Sequence, residues 1–421
     1  MNAKRKRFAG RLRLITLSGG ACWGALAGCS QAAVAPSTPV EAPFVGGTSR
    51  AGAGGPAGAA FVHPGILVNH AMLEFVKAEI AAGAEPWKSA LAQAQASNFG
   101  RLSYAAHPRA VVDCGSGSLP DNGCSDEKND ALAAYTHALL WAYTGNEANA
   151  RKAIAIMNAW SAVLTDHSNT NAPLQSAWVA EVFPRAAEIM RYTHAGWPSD
   201  EVARFGKLLN DVYLPQVVNG SAANGNWETS MIEATLNIGV FNDDRASFEQ
   251  GLRMWRERTP AYLYLSKDGA TPVTPPRGNK TGVALTKYWY GQSIMMDGLS
   301  QETCRDLHHV QYGLAGIINS AETAHVQGVD LYAEEAERLR AGLEFHAKYL
   351  NGAAIPQTLC AGALTDADAS PMWEIALNHF VTRRGNALPE TQKLALKLRP
   401  TGADHQMGWE TLTHAAVGDG Q

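Results

Sequence analysis

NDALAAYTHALLWAYTGNEANARKAIAIMNAWSAVL, from Asn129 to Leu164, decides the fold class. Apolar residues recur along it at three- and four-residue spacing, the period of an α-helix. Gly145 breaks the run, where a residue free to turn left-handed closes one helix before the next begins. The same spacing extends outward on both sides. Towards the N-terminus it runs from Asn69 to Ala84. Towards the C-terminus it covers 176–194, 198–218, 229–241, 243–263, 310–327, 330–350 and 370–384. Pro198-Ser199-Asp200 is a helix start, and Gly352 is a stop. Long alternating strand patterns and repeats of fixed length are absent. About a dozen helices with short connections predict an all-α protein, a helical hairpin array or an α/α toroid.

The chain has 421 residues, 46% hydrophobic and 18% charged, an ordinary globular composition. Its start differs. Lys4, Arg5, Lys6, Arg7, Arg11 and Arg13 precede an apolar stretch too short for a membrane span, and Leu26-Ala27-Gly28-Cys29 follows. This predicts a lipoprotein signal peptide over 1–28, with Cys29 lipidated and Ser30 directing the product to the outer membrane. The acyl chains would hold the protein at the periplasmic face or the cell surface. Residues 29–60, rich in Ala, Gly, Pro and Ser, read as a flexible tether, and 61–421 as one catalytic domain.

Without the six leader cations, 29 basic residues face 39 acidic ones, a formal charge of −10. That balance argues against nucleic acid, whose binding rests on phosphate neutralisation. Four cysteines remain in the exported part. Cys114 and Cys124 flank a Gly/Ser/Pro/Asn loop and are expected to pair, which leaves Cys304 for Cys360. No CxxC or HExxH spacing occurs, so neither a metal nor another cofactor is expected. A monomer is expected.

Two stretches carry candidate chemistry. In NGNWETSMIEA, from Asn224 to Ala234, Asn226 is either the cap of the following helix or an amide at a sugar site, with the Trp227 indole placed to stack on a ring. In QETCRDLHHVQYGL, from Gln301 to Leu314, a helix starting at Arg305 would put Arg305, His309 and Tyr312 on one face, and His308 four residues before Tyr312. A solvated polar stripe is the competing reading. Other candidates are Gln175 and Trp178 as a sugar subsite, and Tyr288 and Tyr290 as a second source of a tyrosine. Arg277, Lys280 and Lys287 lie in a long Gly/Pro-rich loop. His137 and His379 read as core histidines, and His405 and Trp409 are ambiguous.

The run from Gly291 to Tyr332, with its CRD-x-x-H core, resembles the signature of the alginate lyase superfamily of polysaccharide lyases. FVHPGILV, NGNWETSMIEA, MWEIALNHF and GWETLTHA agree with it, and the resemblance spans roughly residues 61–415. It implies an incomplete (α/α) toroid and β-elimination on a 4-linked uronate polymer, alginate or a related polyuronate such as glucuronan. Such chemistry needs a group that neutralises the C5 carboxylate, a base for the C5 proton and an acid for the departing O4. By the resemblance, Asn226 binds the carboxylate, Arg305 and Tyr312 match an arginine and a tyrosine at the same spacing, and His309 matches the motif histidine. Tyr312 would be both base and acid, with Arg305 bringing its phenolate within reach. Trp227 stands where mannuronate-cleaving members carry histidine, so the imidazole must come from elsewhere, His309 or His308. An inverting glycoside hydrolase is the enzymatic rival and would need two opposed carboxylates, from Glu228, Glu302 and Asp306. A lipid-anchored polysaccharide-binding protein is the other.

Overall fold

In the computed structural model, residues 60–194, 196–365 and 368–419 are described. The signal peptide, Cys29 and the tether up to residue 59 lie outside the described residues. Helices α1 (His70–Ala81) and α2 (Trp87–Ala96) lead into the hairpin α3 (Cys124–Thr144) and α4 (Glu147–Val163). Next come α5 (Ala172–Thr193), α6 (Ser199–Leu208) and the single turn α7 (Leu214–Val217). The second large hairpin is α8 (Gly225–Phe241) and α9 (Arg245–Tyr262). After α10 (Gly282–Tyr288) follow α11 (Leu307–Val326), the short α12 (Leu331–Glu334), α13 (Ala336–Leu350), α14 (Glu374–Leu377), α15 (Pro389–Leu398) and α16 (Glu410–His414). Twelve of these have seven residues or more, the number that the periodicity predicts.

The order of packing makes an incomplete α/α toroid. α3, α5, α8 and α11 stand side by side as an inner wall, and α4 and α9 back it from outside. The sequence of each helix reports its layer. α5, α8 and α11 are buried almost end to end, so they are built from Ala, Gly, Ser, Thr and aliphatic residues on every side. α6 and α13 bury one stripe only and carry their charges outward. Wall helices buried on all sides must satisfy their few charges among themselves. Arg185 of α5 pairs with Glu233 of α8, and Arg383 pairs with Glu322 of α11.

Helix ends follow the local chemistry. Gly145 turns left-handed (φ 67°) to close α3, and Asn146 caps α4 by accepting from the Ala148 N–H. Strands are few and short. Val111–Cys114 (β1) pairs antiparallel with Asp121–Asn122 (β2) and parallel with Asp166–Ser168 (β3). Ala403–Asp404 (β4) and Met407–Gly408 (β5) form a hairpin. Cys114 is bonded to Cys124 and Cys304 to Cys360, the pairing expected from the sequence.

Two glycines make the wall possible near the site. Tyr262, at the end of α9, inserts its ring between α8 and α11. A Cβ on Gly225 would lie 2.0 Å from that ring, and one on Gly313 would lie 2.1 Å from its hydroxyl. Only glycine fits at both places.

Candidate active site

The N-terminal ends of the wall helices meet at one rim. Gln175 of α5 reaches Glu127 of α3, and Trp178 of α5 lies 6.2 Å from Tyr312 of α11. At the start of α8, the Asn226 backbone N–H and side-chain amide both donate to Glu302, which lies just before α11. Helix N-termini carry partial positive charge, so this rim suits an anionic ligand.

Asp306 caps α11, accepting from the His309 N–H at 2.8 Å. The helix therefore begins at Leu307, and Arg305 stands outside it, contrary to the helical stripe expected from the sequence. The capping residue starts the helix two positions later than the periodicity alone suggested. Arg305 still meets His309, donating from Nη2 to Nε2 at 2.9 Å, and it donates from Nη1 to Glu302 at 2.7 Å. Arginine can only donate, so His309 Nε2 is the acceptor and its proton sits on Nδ1, 2.8 Å from Asp306. Both ring nitrogens of His309 are engaged. It brackets Arg305 and does not present a free nitrogen to a substrate carboxylate.

Glu302 is fully buried and accepts from Asn226, Arg305 and the Tyr262 hydroxyl. Burial pushes its carboxyl above the usual range against the pull of Arg305 and the Asn226 N–H. Asn226 is fully buried as well. It is the second residue of α8, not its cap, and its amide holds Glu302. The carboxylate contact that the resemblance implied for Asn226 does not fit this burial. Arg305, with its side chain 27% exposed, is the member of the cluster with donors still open to the rim.

Tyr312 is 2% exposed, enclosed by Trp178, His308 and His405. Its hydroxyl lies 3.1 Å from His405 Nδ1, which also lies 2.8 Å from Asp404 Oδ1. Burial, then the carboxylates of Asp404 and Asp306, push the Tyr312 phenol well above its ordinary range. Arg305 does not offset this, because its guanidinium is spent on Glu302 and His309. The expectation that Arg305 makes the phenolate accessible is therefore corrected.

His308 has no hydrogen-bond partner among the described residues. Its ring lies 4.4 Å from that of Tyr312, and it lines a pocket of about 620 Å³ with Asp368, Ser370, Leu398 and Asp404. Burial, with His309 and His405 nearby, lowers its pKa and favours the neutral ring. Of the two adjacent histidines it is His308, not the motif-matched His309, that is open to a ligand. Trp178 stays at the site, with the Lys128 ammonium 4.9 Å from its ring. Trp227 is half-buried against the core.

Four candidates sit differently from the sequence reading. Gln175 is fully buried and donates to the Cys124 carbonyl and Glu127, so it lines no subsite. Tyr288 is buried, receives Arg258 and donates to the Ala223 carbonyl, and burial raises its phenol to about 12. Arg277 is committed to Glu228, and Lys280 to the Ala222 carbonyl. Both pin the long loop down. Tyr290 is 40% exposed at a left-handed turn (φ 53°), and Lys287 is exposed on α10. His137 and His379 are buried, against Asn149 and stacked on Tyr332, as core histidines. Lys128 is a functional candidate that sequence reading missed, and His405, ambiguous in the sequence, lies at the site beside Tyr312. Both reach the site through tertiary packing, Lys128 from α3 and His405 from a hairpin 93 residues after Tyr312. Neither carries a local motif.

The family model for alginate lyase matches residues 121–356. No curated protein matches the chain. Among solved structures, alginate lyase A1-III from Sphingomonas species A1 aligns at 17% identity with a TM-score of 0.58, covering 86% of this chain and 99% of that one. A variant of that enzyme complexed with a tetrasaccharide gives 16% identity and a TM-score of 0.58 over 85% and 96% of the two chains. An alginate lyase from Bacteroides ovatus gives 12% and 0.54, over 85% and 100%. At these identities the structures testify to the fold.

Proposed function

The chain belongs to the alginate lyase family and is a polysaccharide lyase, and from that premise we propose that it cleaves a 4-linked uronate polymer, alginate or a related polyuronate such as glucuronan, by β-elimination. The observation that carries this reading is the pairing of Tyr312 with a buffered arginine on one rim. Arg305, held between Glu302 and His309, directs its remaining donors to the C5 carboxylate. Neutralising that charge acidifies the C5 proton. The Tyr312 oxygen takes the proton, the C5–H electrons form the C4–C5 double bond, and the C4–O4 bond breaks. The same oxygen then returns a proton to O4, which requires both groups on one face of the sugar.

His308 and His405 are the partly exposed groups over Tyr312, so the sugar enters between them. Trp178, Trp227 and Tyr290 offer ring faces to flanking sugars, and Lys128 and Lys287 offer charge to their carboxylates. Asn226 acts through Glu302 as a positioning residue. The bound tetrasaccharide of the A1-III variant supports an acidic oligosaccharide ligand on this fold. The test is a panel of alginate blocks, glucuronan, hyaluronan and pectate, followed by the ultraviolet absorbance of unsaturated ends. Absorbance on the first two and shortening of the chain fit the proposal. Chain shortening with saturated ends would point to hydrolysis.

The leader supports a lipid anchor at Cys29 in the outer membrane. Metabolic labelling with a fatty-acid analogue should mark the protein and fail to mark a Cys29→Ala variant.

A further inference from the structure

A second cavity adjoins the one beside Tyr312. It measures about 720 Å³, within the roughly 300–1,000 Å³ of small-molecule sites. Gly402 and Ala403 line both cavities, so the β4–β5 hairpin is the ridge between them. α3 serves both sides. Asp126 and Asn129 line the second cavity, and Lys128 between them reaches the Trp178 ring at the candidate site. Further lining comes from Gln93 on α2 and from Asn98, Phe99 and Tyr104 in the loop after it. The hairpin itself is held against the wall. Buried Arg185 donates to the Gln406 carbonyl at 2.8 Å, and the Trp409 indole donates to Thr136 at 2.8 Å.

The lining suits an uncharged ligand. Among the described residues, the side-chain amides of Gln93, Asn98 and Asn129 make no hydrogen bond. Asn98 and Asn129 are exposed, whereas the Gln93 Oε1 is buried without a partner. Buried polar atoms are nearly always bonded, so this oxygen calls for a partner from outside the chain. The Phe99 and Tyr104 rings, half-buried and 6.5 Å apart, offer apolar faces to the C–H side of a sugar. The charges are already matched. Asp126 pairs with Arg109 at 2.7 Å, and the His107 ring lies 4.0 Å from Asp130. No lysine or arginine is among the described residues that line the cavity. A uronate carboxylate here would face Asp126 with no free cation to hold it. Sugar hydroxyls both donate and accept, as the three unspent amides do.

We propose that this cavity is a subsite for an uncharged sugar. Joined to the β-elimination reading above, on which this consequence rests, it makes the preferred substrate a mixed polymer. A uronate lies at Tyr312, the chain crosses the hairpin past Lys128 and Trp178, and a neutral sugar occupies the second cavity.

The experiment has a binding arm and a cleavage arm, both on the full chain. Calorimetry with cellotetraose, a neutral 1,4-linked probe, compares the wild type, Tyr312→Phe and an Asn98→Ala, Asn129→Ala double variant. Both asparagines are exposed, and thermal melting checks the fold of each protein. The expected result is binding by the wild type and Tyr312→Phe with a Kd of roughly 1 mM, weakened about tenfold in the double variant. No binding by the wild type, or equal binding by the folded double variant, overturns the subsite. The cleavage arm uses partly C6-oxidised cellulose, in which glucuronate and glucose mix along one chain, and the fully oxidised polymer. The wild type should show the higher kcat/KM on the mixed chain, through a lower KM, and the double variant should lose about tenfold of that preference. A preference equal to the wild type's overturns the mixed-polymer consequence and leaves β-elimination standing. Cellotetraose binding that is lost in the double variant, beside no unsaturated ends from either polymer, sustains the subsite and overturns the lyase reading joined to it.

Discussion

Arg305 holds its position because two neighbours of opposite character grip it. Glu302 supplies charge from the buried side, and His309 supplies a neutral lone pair from the helix. Replacing Glu302 by Gln removes the charge but keeps the shape. We expect a loss of about 1–3 kcal/mol in urea unfolding, from a buried cluster left short of an acceptor. Catalysis should fall about a hundredfold, because Arg305 is no longer aimed. An unchanged rate would mean that Arg305 is positioned by something else. Asp306 gives a second test. Burial raises its carboxyl, but the bonds from His309 and the nearby Arg305 outweigh that, and the net pKa is lowered. A lowered carboxyl stabilises the fold fully above its unfolded pKa of about 4, and the contribution is lost as pH falls through the lower folded value. Asp306→Ala should therefore cost about 1–2 kcal/mol near neutral pH, as loss of a cap does. Much of that difference from the wild type should disappear in strong acid. At this scale QETCRDLHHVQYGL showed the right residues but not their contacts. Which histidine is free depends on Asp306 and Arg305, and only the geometry distinguishes His308 from His309.

Elements tell a different story from residues. The wall helices were legible because α5, α8 and α11 are long, periodic and almost free of exposed charge. The Pro198 start and the Gly145 and Gly352 stops stand where the sequence put them. The β4–β5 hairpin was not legible. Its strands are two residues each, too short for any alternation, and its position depends on Arg185 and Thr136, more than 200 residues earlier. The contact between α8 and α11 was equally hidden, because it turns on Tyr262 between Gly225 and Gly313. Gly313→Ala should push that ring out of its slot and destabilise the protein by about 1–3 kcal/mol, read by thermal or urea unfolding. A neutral effect would show that α9 can retreat from the wall.

For the molecule as a whole, the helical wall and the two disulfides act together. The Cys304–Cys360 bond closes 56 residues and ties the segment before α11 to the loop after α13, while Cys114–Cys124 closes 10. Chain-entropy reasoning gives about 4 kcal/mol for the longer closure and about 3 kcal/mol for the shorter. A Cys304→Ser, Cys360→Ser double variant should lose the larger share in denaturant, and Arg305, next to Cys304, should lose activity with it. Equal losses would argue that the loops stay ordered without the bonds. The hydrolase rival weakens at this scale. Glu228 is locked by Arg258 and Arg277, Glu302 by its three donor residues, and Asp306 by the start of α11, so none stands free opposite another. Fold and family were readable because they rest on periodicity and a short motif, whereas the division of labour at the rim rests on side chains far apart in the chain. The most direct test of the account is the formation of unsaturated ends from a polyuronate by Tyr312→Phe, a change that removes one oxygen from a buried ring. The account predicts that the folded variant forms none above background; formation at the wild-type rate would contradict it.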